Sequence, residues 1–133
     1  MTPYYRRTVG KAREHGQTLF MVDSDGDIRK LIPSWLAVGV NGFVPCEVAA
    51  GMDVGEIRQA YGRDVLLFGG IDKRALATGG DALKREIERR ARVAADGGYI
   101  PAVDHNIPPD VSWANFCEFV AITKSVYGVS AEF

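Results

Sequence analysis

Apolar positions along the chain fall into four short runs, "TLFMV" (18–22), "GFVPC" (42–46), "VLLFG" (65–69) and "YIPAV" (99–103), separated by longer stretches with a helical period. Runs this short, rich in β-branched and aromatic residues, predict buried strands rather than helices. Between them, residues 28–38 set Ile28, Leu31, Ile32, Trp35, Leu36 and Val38 mostly on one face and stop at Gly39. Residues 53–61 open with "DVGE", a capping box in which Asp53 accepts from a first-turn amide and Glu56 reaches back, and Gly62 closes that helix. A longer helix over 80–95 repeats Leu83, Ile87, Ala91 and Ala94. The last, over 112–127, has Ser112 as N-cap and repeats Trp113, Phe116, Cys117, Val120 and Lys124. The opening "TPYYRRTVGKAREHG" predicts one more helix, with Thr2 as cap and Pro3 in the first turn.

The predicted order is a leading helix followed by four βα units. Such alternation forces parallel pairing through right-handed crossovers, so the fold class is α/β in a single domain, 1–133. An open doubly wound sheet and part of a (β/α)8 barrel both satisfy this order. A complete barrel needs roughly 250 residues, so the chain holds about half of one. No GxGxxG follows the first strand, which weakens a dinucleotide-binding reading.

Composition narrows the function classes. With 133 residues, 47% hydrophobic and 25% charged, the chain is long enough for one real core. Lys and Arg number 16 against 17 Asp and Glu, so no basic excess argues for nucleic acid. The run "KREIERRAR" (84–92) interleaves Glu and reads as a solvated helix face. Cys46 and Cys117 stand far apart with no CxxC, which makes a reducing cytoplasm the default compartment. No apolar stretch reaches the ~20 residues of a membrane span, and the N-terminus lacks the apolar core of a signal peptide.

Candidate chemistry gathers after the strands, where parallel α/β folds carry their sites. The first strand leads into "VDSDGDI" (22–28), which has the alternating carboxylates of a calcium loop. Its spacing fails: counted from Asp23, the sixth position is Ile28 instead of Gly and the twelfth is Ser34 instead of Glu. The second strand runs into Glu47, the third through Gly69 and Gly70 to Asp72, and the fourth ends in Asp104 and His105. Asp27 has a second reading as the cap of a helix starting at Ile28, Asp72 as the cap of a short helix at 73–77, and Asp104 as a stabiliser of the "NIPPD" turn. Carboxylates that share one rim repel unless a cation, a shared proton or water lies between them. His105, with Pro108 and Pro109 stiffening its loop, is a candidate general acid/base or ligand. The catalytic candidates are therefore His105 and Asp25, and the substrate-binding candidates Glu47, Gly69, Gly70 and Asp72.

The stretches "DSDGDIRKLIPSWLAVGVNGFVPCEVAAGMDV", "LLFGGIDKRALATGG" and "GGYIPAVDHNIPPDVSWANF" resemble the C-terminal half of the uroporphyrinogen decarboxylase superfamily, over about Thr18 to Tyr127. The resemblance implies a TIM barrel and a carboxy-lyase acting on a porphyrinogen-like substrate. Its alternative is a metal-assisted methyltransferase of the corrinoid type, taking a methyl donor. His105 in "DHNI" stands where the decarboxylases place a functional His. Asp23 and Asp25 stand where the methyltransferases place a His-x-Cys pair of zinc ligands. A metal held by Asp23, Asp25, Glu47 and His105 would be oxygen-rich, which fits Zn²⁺, Mn²⁺ or Mg²⁺ without thiolates. The Arg cluster, Asp and Tyr that the decarboxylases use from their N-terminal half have no counterpart here. Half a barrel leaves the runs at 18–22 and 99–103 as edges, so the expected state is a homodimer or a chain that needs an N-terminal half. A non-catalytic fragment or binding module is the third reading.

Overall fold

The computed structural model describes residues 1–128. Helix α1 (Thr2–Glu14) leads into strand β1 (Met21–Asp23), helix α2 (Ile32–Leu36) and strand β2 (Gly42–Val44). A single 3₁₀ turn, Val48–Ala50, precedes helix α3 (Val54–Tyr61), and another, Gly62–Asp64, precedes strand β3 (Leu66–Ile71). Helices α4 (Lys73–Thr78) and α5 (Gly80–Ala95), strand β4 (Tyr99–Val103) and helix α6 (Trp113–Tyr127) complete the order. The strands form one open sheet in the order β1-β2-β3-β4, all parallel. This is the α/β arrangement expected from the alternation, and it matches half of a TIM barrel.

Strand parity divides the sheet into two faces. Val22, Phe43, Leu67 and Tyr99 are buried under the helices. Two clusters lie there, one built from all four strands with α1, α2 and α3, the other from Ile71, Leu76, Leu83 and Ile87 beneath α6. Met21, Val44, Phe68 and Ile100 belong to the opposite parity, on the face turned away from the helices. Met21 and Ile100 are 38% and 59% exposed there. Gly42 is required on this face, because a Cβ would stand 2.6 Å from the Met21 side chain.

Several boundaries depart from the periodicity. The first strand is expected over 18–22, yet only Met21–Asp23 enter the ladder. Before them the Asn41 side chain replaces a strand partner: its Oδ1 accepts from Phe20 N–H and its Nδ2 donates to Thr18 O, each at 2.8 Å. The helix expected over 28–38 shortens to Ile32–Leu36, with Pro33 in its first turn. Asp27 therefore caps no helix at Ile28; it accepts from Arg29 N–H at 3.1 Å and pairs with the Arg29 guanidinium. Met1, not Thr2, is the N-cap residue of α1. On α6 the expected stripe of Trp113, Phe116, Cys117 and Val120 is the wrong face. Phe119, Ile122, Val126 and Tyr127 pack against the second cluster, while Trp113 stays 76% exposed. The N-caps at Asp53 and Ser112 hold, with Asp53 Oδ1 accepting from Gly55 N–H at 2.7 Å and Ser112 Oγ from Asn115 N–H at 3.1 Å, but the capping box is not completed: the Glu56 carboxylate turns to Arg29, 4.0 Å away.

The end of the sheet opposite the rim is pinned by Arg58. Its guanidinium donates to Gly62 O at 2.7 Å, Val65 O at 3.0 Å and Gly97 O at 2.8 Å, so one buried cation joins the turns that enter β3 and β4. Behind the sheet, Arg90 is 1% exposed and donates to Asp53 Oδ2 at 2.8 Å and Glu86 Oε1 at 3.0 Å, tying α5 to the start of α3.

Candidate functional site

The C-terminal ends of the four strands surround an open pocket of about 350 Å³, lined by Asp23, Asp25, Val44, Pro45, Phe68, Val103, His105 and Asn106. Three of the sequence-predicted residues thus meet in one place. His105 Nε2 stands 3.5 Å from Asp25 Oδ1, which links the loop after β4 to the loop after β1 across the mouth of the pocket. His105 keeps 35% of its side chain exposed and Asp25 68%, so both remain open to a ligand. Asp23 faces the same pocket, and among the described residues no hydrogen bond or ion pair engages its carboxylate.

The other carboxylates of the rim are already claimed. Glu47 Oε1 accepts from Lys73 Nζ at 2.9 Å and Oε2 from Gly26 N–H at 3.1 Å. The hydrogen bond from Lys73, reinforced by Gly26, holds the Glu47 carboxyl below its ordinary range, and Lys73 is raised in turn. Glu47 therefore clamps the turn that carries Asp25. Asp104 is 0% exposed and bridges two loops, with Oδ2 accepting from Val48 N–H at 2.8 Å and Oδ1 from Lys73 N–H at 3.0 Å. It does not steady the "NIPPD" turn, and the carboxylate against His105 is that of Asp25. Asp72 caps α4, accepting from Arg74 N–H at 2.8 Å. Burial pushes its carboxyl up, yet the Arg74 guanidinium beside it holds it below the ordinary value. That engagement leaves Asp72 outside the pocket.

Gly69 and Gly70 also lie outside the pocket wall. Both have positive φ, 94° and 74°, and both are buried. A Cβ on Gly69 would stand 1.8 Å from Pro45 O, and one on Gly70 2.5 Å from Val54 Cγ1. These glycines let β3 pass close beneath the turn after β2, where Gly70 N–H donates to Pro45 O at 3.1 Å. They bring Pro45 and Phe68 to the pocket, whose lining includes neither glycine.

The four residues considered as metal ligands do not converge. Among the described residues no group of three or more His, Cys, Asp or Glu side chains has the geometry to hold a metal ion. Glu47 is turned to Lys73 and Gly26, so it does not join Asp23, Asp25 and His105 at the pocket. Cys46 offers no ready thiolate, since burial pushes its thiol up to about 11.

Lys73 is the rim residue that sequence reasoning misses. It follows the Asp72 cap directly, and its partner Glu47 lies 26 residues earlier, so only the folded sheet brings them together. The position at the C-terminal end of β3 was the one available signal.

The four parallel strands and the rim at their C-terminal ends are consistent with half of a (β/α)8 barrel. The model of the uroporphyrinogen decarboxylase (URO-D) family matches residues 1–126. The chain belongs to the uroporphyrinogen decarboxylase family. No curated protein and no solved structure matches it. As a URO-D domain it has its family's α/β architecture, and no helix among the described residues is long and apolar enough to cross a membrane.

Proposed function

We propose that this chain supplies the proton-handling rim of a carboxy-lyase acting on a porphyrinogen-like polycarboxylate. The observation that carries the reading is the His105–Asp25 contact of 3.5 Å at the mouth of the pocket. URO-D membership supports the substrate class.

An acetate on a pyrrole loses CO2 only when the electron pair of the breaking bond has a sink. Protonated His105, with Nε2 facing Asp25, would give its Nδ1 proton to the neighbouring pyrrole ring carbon, turning the ring into an electron-poor iminium. The carbon–carboxylate bond then breaks, CO2 leaves, and the pair flows into the ring to form an exocyclic methylene. Protonation of that methylene gives the methyl group, and the ring proton returns to His105, so one solvent proton is consumed overall. The Asp25 carboxylate, 3.5 Å from Nε2, orients the His105 ring toward the pocket. Phe68, Val44 and Pro45 provide an apolar wall for a flat ring, and Lys73 serves by holding Glu47 against the Asp25 turn.

The test is anaerobic incubation with uroporphyrinogen, with separation of products by carboxyl number. Parent protein should yield less carboxylated porphyrinogens, and His105→Ala should lower the rate by about 100-fold or more, the range for loss of a general acid. No decarboxylated product from the parent, or a His105→Ala rate equal to the parent, would overturn the proposal.

A further inference from the structure

We propose that Asn106 recognises the carboxylate that this pocket takes, and so makes the site select an acid over the corresponding amide. The inference rests on the polycarboxylate reading of the pocket and names the residue that senses the charge.

The side chains around the pocket divide by chemistry. Val44, Pro45, Phe68 and Val103 are apolar and offer no hydrogen bond. Asp23 and Asp25, from the end of β1 and the loop after it, only accept while ionised, and they repel a carboxylate. The side-chain donors, His105 and Asn106, come from the loop after β4. His105 turns Nε2 to Asp25 at 3.5 Å and carries the proton transfer. That leaves the Asn106 amide, and among the described residues its side chain has no hydrogen-bond partner. An anion entering the pocket is repelled from the β1 loop and meets a neutral, uncommitted donor on the β4 loop.

The segment that carries this amide is anchored on both sides. Asp104 is 0% exposed, donates its N–H to Ile71 O at 2.8 Å and accepts from Val48 N–H and Lys73 N–H. Beyond Asn106, Pro108 and Pro109 restrict the chain, and Val111 N–H closes a turn onto Pro108 O at 3.2 Å. A donor held on such a segment loses less freedom when it binds. Its neutrality matters as much as its place. A cation would stabilise the carboxylate in the ground state and oppose its departure as CO2, whereas an amide orients the group without added charge.

Equilibrium binding decides the matter, read by NMR of the isotope-labelled protein with pyrrole-3-acetate and pyrrole-3-acetamide as probes at one pH. The parent should bind the acetate more tightly than the acetamide, with the signals of His105 and Asn106 shifting on titration. Asn106→Ala should raise the acetate Kd by about tenfold, the low end for a hydrogen bond to an ion, and the acetamide Kd by about threefold or less. Asn106→Asp sets a like charge against the ligand, so it should raise the acetate Kd by about 30-fold or more and reverse the preference. Ile107→Asp adds the same charge outside the pocket lining and should change the acetate Kd by no more than about threefold. Circular dichroism checks the fold of each variant, and either Asn106 variant decides without the other. No acetate binding by the parent, a parent without preference, or an Asn106 variant that binds the acetate as the parent does would overturn the proposal. So would an Ile107→Asp effect as large as that of Asn106→Asp. Because turnover is not read, acetate bound through Asn106 without lyase activity refutes only the preceding reading, and an active lyase indifferent to Asn106 refutes only this one.

Discussion

Replacing Gly69 by alanine tests how the pocket wall is built. Two costs arise at this position and they can be separated. The first is conformational: φ is 94°, where a Cβ meets the backbone, and a non-glycine residue costs about 1–2 kcal/mol. The second is steric. The added Cβ would lie 1.8 Å from Pro45 O and 2.7 Å from Pro45 C, both backbone atoms that no rotamer change can move. Relief requires β2 and β3 to part by more than an ångström at their rim ends, which sacrifices the Gly70 N–H to Pro45 O bond and opens the packing beneath Phe43. A buried amide left unpaired costs about 1–3 kcal/mol, and the disturbed packing adds about 1–2 kcal/mol. The expected total is about 3–7 kcal/mol, much of the stability of a small domain. Gly16→Ala provides the comparison, since φ is 83° and nothing lies within 4 Å of its Cβ, so only the conformational cost applies. Urea unfolding followed by circular dichroism measures both. A Gly69→Ala loss no larger than that of Gly16→Ala would refute the close passage of β3 beneath Pro45.

Asp104→Asn should destabilise the domain by about 2–3 kcal/mol in the same assay, because an amide cannot accept from both Val48 N–H and Lys73 N–H in a fully buried site. Lys73→Met should cost about 0.5–1 kcal/mol near neutral pH. Glu47 is lowered from 4.5, so the pair stabilises above that pH and fades as pH falls through the folded value. Lys73 is raised from 10.5, so the contribution is present below that pH and fades as pH rises through its folded value. The Lys73→Met effect should therefore vanish at both extremes, and urea midpoints that differ equally at all pH values would contradict it. Phe119→Ala should lower stability by about 3 kcal/mol and Trp113→Ala by less than about 1 kcal/mol, a ranking that thermal melts would reverse if α6 packed through its other face.

The fold was legible where local signals agree and not where a remote group decides. α5 follows from the spacing of Leu83 and Ile87, and it appears over the predicted residues. Capping at Asp53, Asp72 and Ser112 is local chemistry and reads equally well. α6 is apolar on both sides, so its period cannot choose a face; the choice is made by Leu83 and Ile87 beneath it. The start of β1 depends on the Asn41 side chain, 21 residues beyond Phe20, which no window over 18–22 contains.

The rim shows the same division in its chemistry. Strand ends placed Asp23, Asp25, Glu47, Asp72, Asp104 and His105 together in the sequence, and spacing alone gives them equal standing. Folding separates them by what each meets. Asp72 and Asp104 take backbone amides, and Glu47 takes Gly26 and Lys73, so their charge is spent on holding the loops in place. A carboxylate is available to a substrate only when no amide or cation of its own chain satisfies it. By that criterion Asp23 is the open carboxylate of the pocket and Asp25 is shared with His105 at 3.5 Å, while the carboxylates removed from the list are those that fix their positions.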